Sequence, residues 1–125
     1  MYAASKAAIS SFARSLGTLD PTLNIRVVAV APGIVKTPIW DAYKLGWVDE
    51  LKDEWVTKEQ VANAMLDLVQ RSEYIGGTVL EVGVERNRLV EMLNDSGPEG
   101  RGMAVSNVAG GFTDVLGLIG EQFGK

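Results

Sequence analysis

The sequence contains no cysteine and no histidine. The first absence excludes disulfides, thiol nucleophiles and thiolate metal ligands; the second removes imidazole as a ligand and as a base, and with it any triad that depends on one. Zinc chemistry is not expected, and no metal site is assigned. No apolar run approaches the roughly 20 residues that a membrane-spanning helix needs, so the expectation is a soluble, cytoplasmic chain without a membrane partner. Net charge is only −4, with both signs interspersed, which argues against nucleic acid or an anionic membrane surface. Small molecules and other proteins remain. The first nineteen residues, with Lys6, Arg14, four serines and no acid before Asp20, have a transit-peptide composition. That reading is set aside because the same segment carries a chemical pair.

The pair is Tyr2 and Lys6, in Met1-Tyr2-Ala3-Ala4-Ser5-Lys6 at the head of an Ala-rich helix. Residues four apart share a helix face with Cβ atoms roughly 6 Å apart. A free tyrosine has a pKa of about 10, and a fixed ammonium beside it favours the phenolate. Tyr2 could then exchange a proton with a substrate oxygen at neutral pH. The bland alternative is a helix that happens to carry both residues.

A chain of 125 residues fits one domain and can bury about two-thirds of its unfolded surface. Alanine content and an apolar stripe of Ile9, Phe12, Ala13, Leu16 and Leu19 predict a helix from Ala3 to Leu19, ended by Pro21. Ala4, Ala7, Ser11, Ser15 and Thr18 form a small-residue stripe suited to a helix-helix contact. Asn24 to Ala31 reads as a strand apolar on both faces, as in a parallel sheet. Pro32-Gly33 ends it, leaving Ile34 to Thr37 as the loop at its carboxyl end, where ligands bind in open α/β sheets. The stretch from Pro38 to Trp55 holds Trp40, Tyr43, Trp47 and Trp55. It reads either as a lid or wall over an apolar ligand or as a helix using its aromatics for core. Thr57 to Gln60 is a capping box opening a helix with apolar Val61, Ala62, Met65, Leu66, Leu68 and Val69. Gly76-Gly77 releases a second strand, Thr78 to Val82, expected to run parallel to the first. Beyond Gly83, Arg86 to Leu93 reads as a short helix and Asp95 to Gly102 as turn. Phe112, Leu116, Ile119 and Phe123 make a helical stripe interrupted by glycines.

Tyr2 to Ala8, Asn24 to Gly33 and Thr37 together resemble the catalytic half of the short-chain dehydrogenase/reductase family, a likeness that covers residues 1–84. A fainter likeness, reaching into the variable tail of residues 85–125, is to the fungal NAD-dependent hydroxyprostaglandin dehydrogenase-like members. The resemblance implies the carboxyl-terminal part of a Rossmann-type, doubly wound parallel α/β sheet in one partial domain, residues 1–125. It implies that Tyr2 is the catalytic acid/base and that Lys6 lowers its pKa and bonds the nicotinamide ribose. Pro32, Gly33, Val35 and Thr37 match the cofactor loop, and the Pro38–Trp55 segment matches the substrate loop. The implied cofactor is NAD or NADP, with NAD favoured, the implied substrate a small hydrophobic alcohol or ketone, and the full-length member a homo-oligomer.

The departure from the family is as informative. Its members have the glycine-rich dinucleotide loop, the NAD/NADP-selecting residue, an Asn-Ala-Gly strand end and the catalytic serine ahead of this point, and this sequence contains none of them. Gly76-Gly77 and Gly110-Gly111 do not follow the dinucleotide fingerprint. Met1 occupies a variable position, where an internal methionine could be mistaken for a start. The expectation is a dehydrogenase/reductase fragment that lacks the amino-terminal dinucleotide-binding half and is inactive alone. The alternative is a non-enzymatic remnant or interaction module pairing through its first helix.

Overall fold

Two short parallel strands, β1 (Ala29–Pro32) and β2 (Val79–Val82), form the centre of the computed structural model, in register from Ala29 opposite Val79 to Pro32 opposite Val82. A third strand, β3 (Asn87–Leu89), pairs antiparallel with β2, giving the order β1-β2-β3. The structure describes residues 1–92 and 107–123. The α/β class and the parallel pairing expected from the sequence are therefore observed.

Helices cover the strand pair. Helix α1 (Tyr2–Ser15) and helix α4 (Lys58–Gln70) both pack on β1 and β2. Side chains alternate across a strand, and Leu80 and Val82 join Val56 and the α4 residues Ala64 and Leu68 in the core, with Val28 and Val30 against them. Val79, on the other side of β2, is buried, as is Ala13 of α1. Helix α4 starts at the expected capping box: Gln60 N–H donates to Thr57 Oγ1 at 3.0 Å, and Thr57 N–H donates to Gln60 Oε1 at 2.8 Å. Its buried face is Ala64 and Leu68, while Met65, Leu66 and Val69 are exposed.

Several boundaries differ from the sequence reading. The expected first helix is two: α1 stops at Ser15, and α2 (Leu19–Leu23) follows. Pro21 does not end a helix but sits in the first turn of α2, where its missing N–H would have no intrahelical partner anyway. Ile9 and Phe12 are 57% and 63% exposed, so only Ala13 and Leu19 of the expected stripe are buried. The small-residue stripe of α1 is exposed throughout. Strand β1 begins at Ala29 rather than Asn24, because Asn24 is the left-handed cap of α2 with φ 56°. Ala29 to Ala31 are half-buried and Pro32 is exposed, so the strand is not enclosed on both faces.

Of the helix expected over Arg86 to Leu93, the described residues 86–92 form none. Gly83 N–H donates to Arg86 O at 3.2 Å, closing a turn, and Arg88 grips Glu81 across the strands with Nε and Nη2 at 2.6 and 2.8 Å. A cross-strand bidentate pair rewards an extended backbone there. Entry to β2 is held by Asp20, whose carboxylate accepts from Gly76 N–H at 2.6 Å and from Arg26 at 3.3 Å. Gly77 has φ 87°, a conformation that favours glycine. The apolar tail stripe lies on α5 (Val108–Gln122), with Leu116 and Ile119 half-buried and Phe112 and Phe123 exposed. The turn expected over Asp95–Gly102 lies outside the described residues. No described helix is long and apolar enough to cross a membrane.

Candidate active site

Helix α1 presents Tyr2 and Lys6 on one face, and the Lys6 ammonium lies 5.4 Å from the centroid of the Tyr2 ring, within cation–π range. The first turn is closed by its own residues: Ser5 N–H donates to Met1 O at 3.1 Å, and the Ser5 hydroxyl donates to Tyr2 O at 2.8 Å. Tyr2 is 77% exposed, so its side chain remains available to a ligand.

Two cavities meet at this residue. The larger, about 640 Å³, is a groove between α1 and β1; Lys6, Ile9 and Ser10 line it from the helix, and Ala29 to Pro32 and Thr37 line it from the strand and its loop. The second, about 560 Å³, lies under α3 (Ala42–Leu45), where Ile34, Trp40, Lys44 and Trp47 line it. Tyr2, Gly33, Val35 and Ile39 belong to both. The phenol therefore stands at the junction. The loop between β1 and Val56 is tied to the core by Val56 N–H, which donates to Ile34 O at 2.9 Å.

The four aromatics of the Pro38–Trp55 segment sort into two edge-to-face pairs. Trp40 and Trp55 meet at 5.1 Å and are half-buried, with the Lys36 ammonium 5.8 Å from the Trp55 ring centroid. Tyr43 and Trp47 meet at 5.4 Å and are 76% and 65% exposed. Trp40 and Trp47 line the second cavity; Tyr43 and Trp55 stand behind them and line neither. Asp41 caps α3 by accepting from Lys44 N–H at 2.9 Å, and the Lys44 ammonium donates to Ile39 O at 2.9 Å. The backbone hydrogen bond from Lys44, then the one from its side chain, hold the Asp41 carboxyl below its ordinary range.

The residues singled out from the sequence thus fall around one junction: Tyr2 and Lys6 from α1, and Pro32, Gly33, Val35 and Thr37 from the strand end. Ser10, Ile39 and Lys44 also line it and were not singled out. Ser10 stands one helical turn beyond Lys6, a spacing that could have pointed to it. Ile39 and Lys44 carry no local signal, because only the fold of the loop brings them to the junction.

The model of a family described as Enoyl-(Acyl carrier protein) reductase matches residues 1–84, two-thirds of the chain, including every one of these residues. The chain belongs to the short-chain dehydrogenase/reductase family. Within that family it is similar to the 3-oxoacyl-(acyl-carrier-protein) reductase FabG of Chlamydia muridarum, 41% identical over 91 residues. It also resembles the protein of that name from Chlamydia trachomatis, at 36% identity over 91 residues. Each match takes in 65% of this chain and 35% of the relative, so the chain spans about a third of the length of these family members. No solved structure matches it.

Proposed function

We propose that residues 1–84 are the catalytic portion of an NAD(P)-dependent reductase whose substrate is a 3-oxoacyl thioester. The observation that carries this reading is the position of Tyr2 where the two cavities join, with the Lys6 ammonium over its ring. The names of the chlamydial relatives narrow the expected hydrophobic ketone to an oxoacyl group, and favour it over a hydroxyprostaglandin-type substrate.

The groove between α1 and β1 fits the nicotinamide end of a dinucleotide: it combines the ammonium and hydroxyl groups of Lys6, Ser10 and Thr37 with apolar surface from Pro32 and Val35. Lys6, Pro32, Gly33, Val35 and Thr37 would hold that end, and the bound cofactor supplies a hydride. The cavity under α3 takes the acyl chain against Ile39, Trp40 and Trp47, directing the ketone oxygen to Tyr2. The Tyr2 hydroxyl gives its proton to that oxygen as the alcohol forms, and the Lys6 ammonium stabilises the phenolate left behind. The phosphate-cradling turn that dinucleotides require has to come from a segment outside this sequence, and the family's homo-oligomeric assembly belongs to that longer form.

The experiment joins residues 1–125 to the part of the Chlamydia muridarum relative that the match leaves uncovered. It then follows NADH and NADPH oxidation with a 3-oxoacyl thioester. Turnover that depends on the Tyr2 hydroxyl supports the reading. A folded fusion that binds the dinucleotide and reduces no 3-oxoacyl thioester contradicts it.

A second reading, an interaction module that pairs through its first helix, is favoured by the exposure of Ile9 and Phe12 beside the exposed small-residue stripe of α1. Cross-linking from α1 to another polypeptide in a chain without reductase activity would support it.

A further inference from the structure

We propose that Trp40 is a positioning residue: its indole fixes the backbone of Val35, the wall common to both cavities, and so couples a ligand beneath α3 to the groove beside α1. The proposal rests on the reading of the two cavities given above. Trp40 Nε1–H donates to the Val35 carbonyl oxygen at 2.9 Å in a part-buried setting. The Trp40 amide donates to Thr37 O at 3.1 Å, closing the turn that brings the indole back over Val35. The ring rests edge-to-face on Trp55, 5.1 Å between centroids. From the other side, Val35 bridges Val56, and Val56 is buried in the core. The backbone at Val35 is therefore clamped between the core and one indole N–H.

The two residues differ in what they face. Trp40 lines the cavity under α3 and not the groove, whereas Val35 lines both. A ligand pressed against the indole acts on Val35 through a single directional bond, and Val35 carries the displacement to the groove. Tryptophan suits this role because its body is apolar and its one polar atom is a donor. Trp47 lines the same cavity, but its ring partner is Tyr43, so it lacks this connection.

The test uses the ¹⁵N-labelled 125-residue chain, with Trp40→Phe and Trp47→Phe as variants and the acetoacetyl thioester of N-acetylcysteamine as probe. Without probe, Trp40→Phe should speed exchange of the Val56 amide about fivefold, the equivalent of one ordinary hydrogen bond of about 1 kcal/mol. Trp47→Phe should leave it unchanged. With probe, the amides of the groove-only residues Ser10 and Ala31 should shift in the parent chain and in Trp47→Phe, and stay still in Trp40→Phe. Equal Val56 exchange in the parent chain and Trp40→Phe, or equal groove shifts at saturation, overturns the proposal. A probe that perturbs no cavity residue refutes the substrate reading, while Val56 exchange still decides the role of Trp40. Should Trp40→Phe not fold, the parent chain answers alone: the Trp40 indole proton should exchange at least tenfold more slowly than that of Trp47, and equal rates overturn the assignment.

Discussion

Gly17 and Gly76 meet backbone to backbone: a Cβ on Gly17 would lie 2.9 Å from the Gly76 carbonyl oxygen, and one on Gly76 would lie 2.7 Å from the Gly17 carbonyl oxygen. This contact sets the turn between α1 and α2 against the entry to β2, and so sets helix α1 against the sheet. Gly17→Ala and Gly76→Ala should each lower stability by about 1–3 kcal/mol, since a backbone must move to admit the methyl group. Gly111, inside α5 with open space around it, should behave oppositely. Gly111→Ala should add roughly 0.5–1 kcal/mol through helix propensity. Urea unfolding of the three variants checks both signs.

How much of this was legible in the sequence depends on the kind of signal. The shared helix face of Tyr2 and Lys6, the capping box at Thr57 and Gln60, and the parallel pairing of the two strands are set by local spacing and apolar runs, and all three are present in the structure. Periodicity showed that α1 has an apolar stripe but not what covers it, and Ile9 and Phe12 turned out exposed. Pro21 misled because a proline before a helix end and one in a first turn look alike in sequence. The stretch after Gly83 misled because the strand Asn87–Leu89 is stabilised by Glu81, a partner on another element. Ile39 and Lys44 enter the candidate site only through the path of the loop.

The Glu81–Arg88 pair carries a pH dependence. Its hydrogen bonds from Arg88 hold the Glu81 carboxyl below its ordinary value of 4.5. The folded-state pKa is thus lower than the unfolded one, so the contribution is fully present above about pH 4.5 and is lost as pH falls through the depressed value. The pair is exposed, so the effect should be small and weakened by salt. Protection of the Val90 amide, whose N–H donates to Val79 O, measured relative to its intrinsic exchange rate, should fall on acidification through this window. In Arg88→Ala this acid-linked loss of protection should vanish.

The two aromatic pairs should respond differently to a ligand. If the exposed Tyr43–Trp47 pair closes over an acyl chain, a 3-oxoacyl thioester should change tryptophan emission and slow proteolysis within residues 42–53. Trp47→Phe should abolish most of the emission change, and Trp55→Phe should retain it. Fluorescence titration of the fusion distinguishes the pairs, and a response carried by Trp55 would rule out an outer lid.

Residues 1–125 alone should show no saturable NADH or NADPH binding at micromolar concentration. Gly76-Gly77 leads from α4 into β2 rather than from a strand into a helix, and so cannot cradle a pyrophosphate at a helix N-terminus. Calorimetry on a monodisperse preparation checks this, and one-to-one binding would show that the chain needs no further dinucleotide segment.

Whether the Tyr2 hydroxyl carries the transferred proton is tested by measuring turnover beside dinucleotide affinity for Tyr2→Phe in the fusion. The value of kcat should fall about a thousandfold, the scale of a lost general acid, with dinucleotide Kd within about twofold of the parent. In Lys6→Ala, kcat and Kd should both suffer. Near-normal turnover by Tyr2→Phe would show that another group supplies the proton.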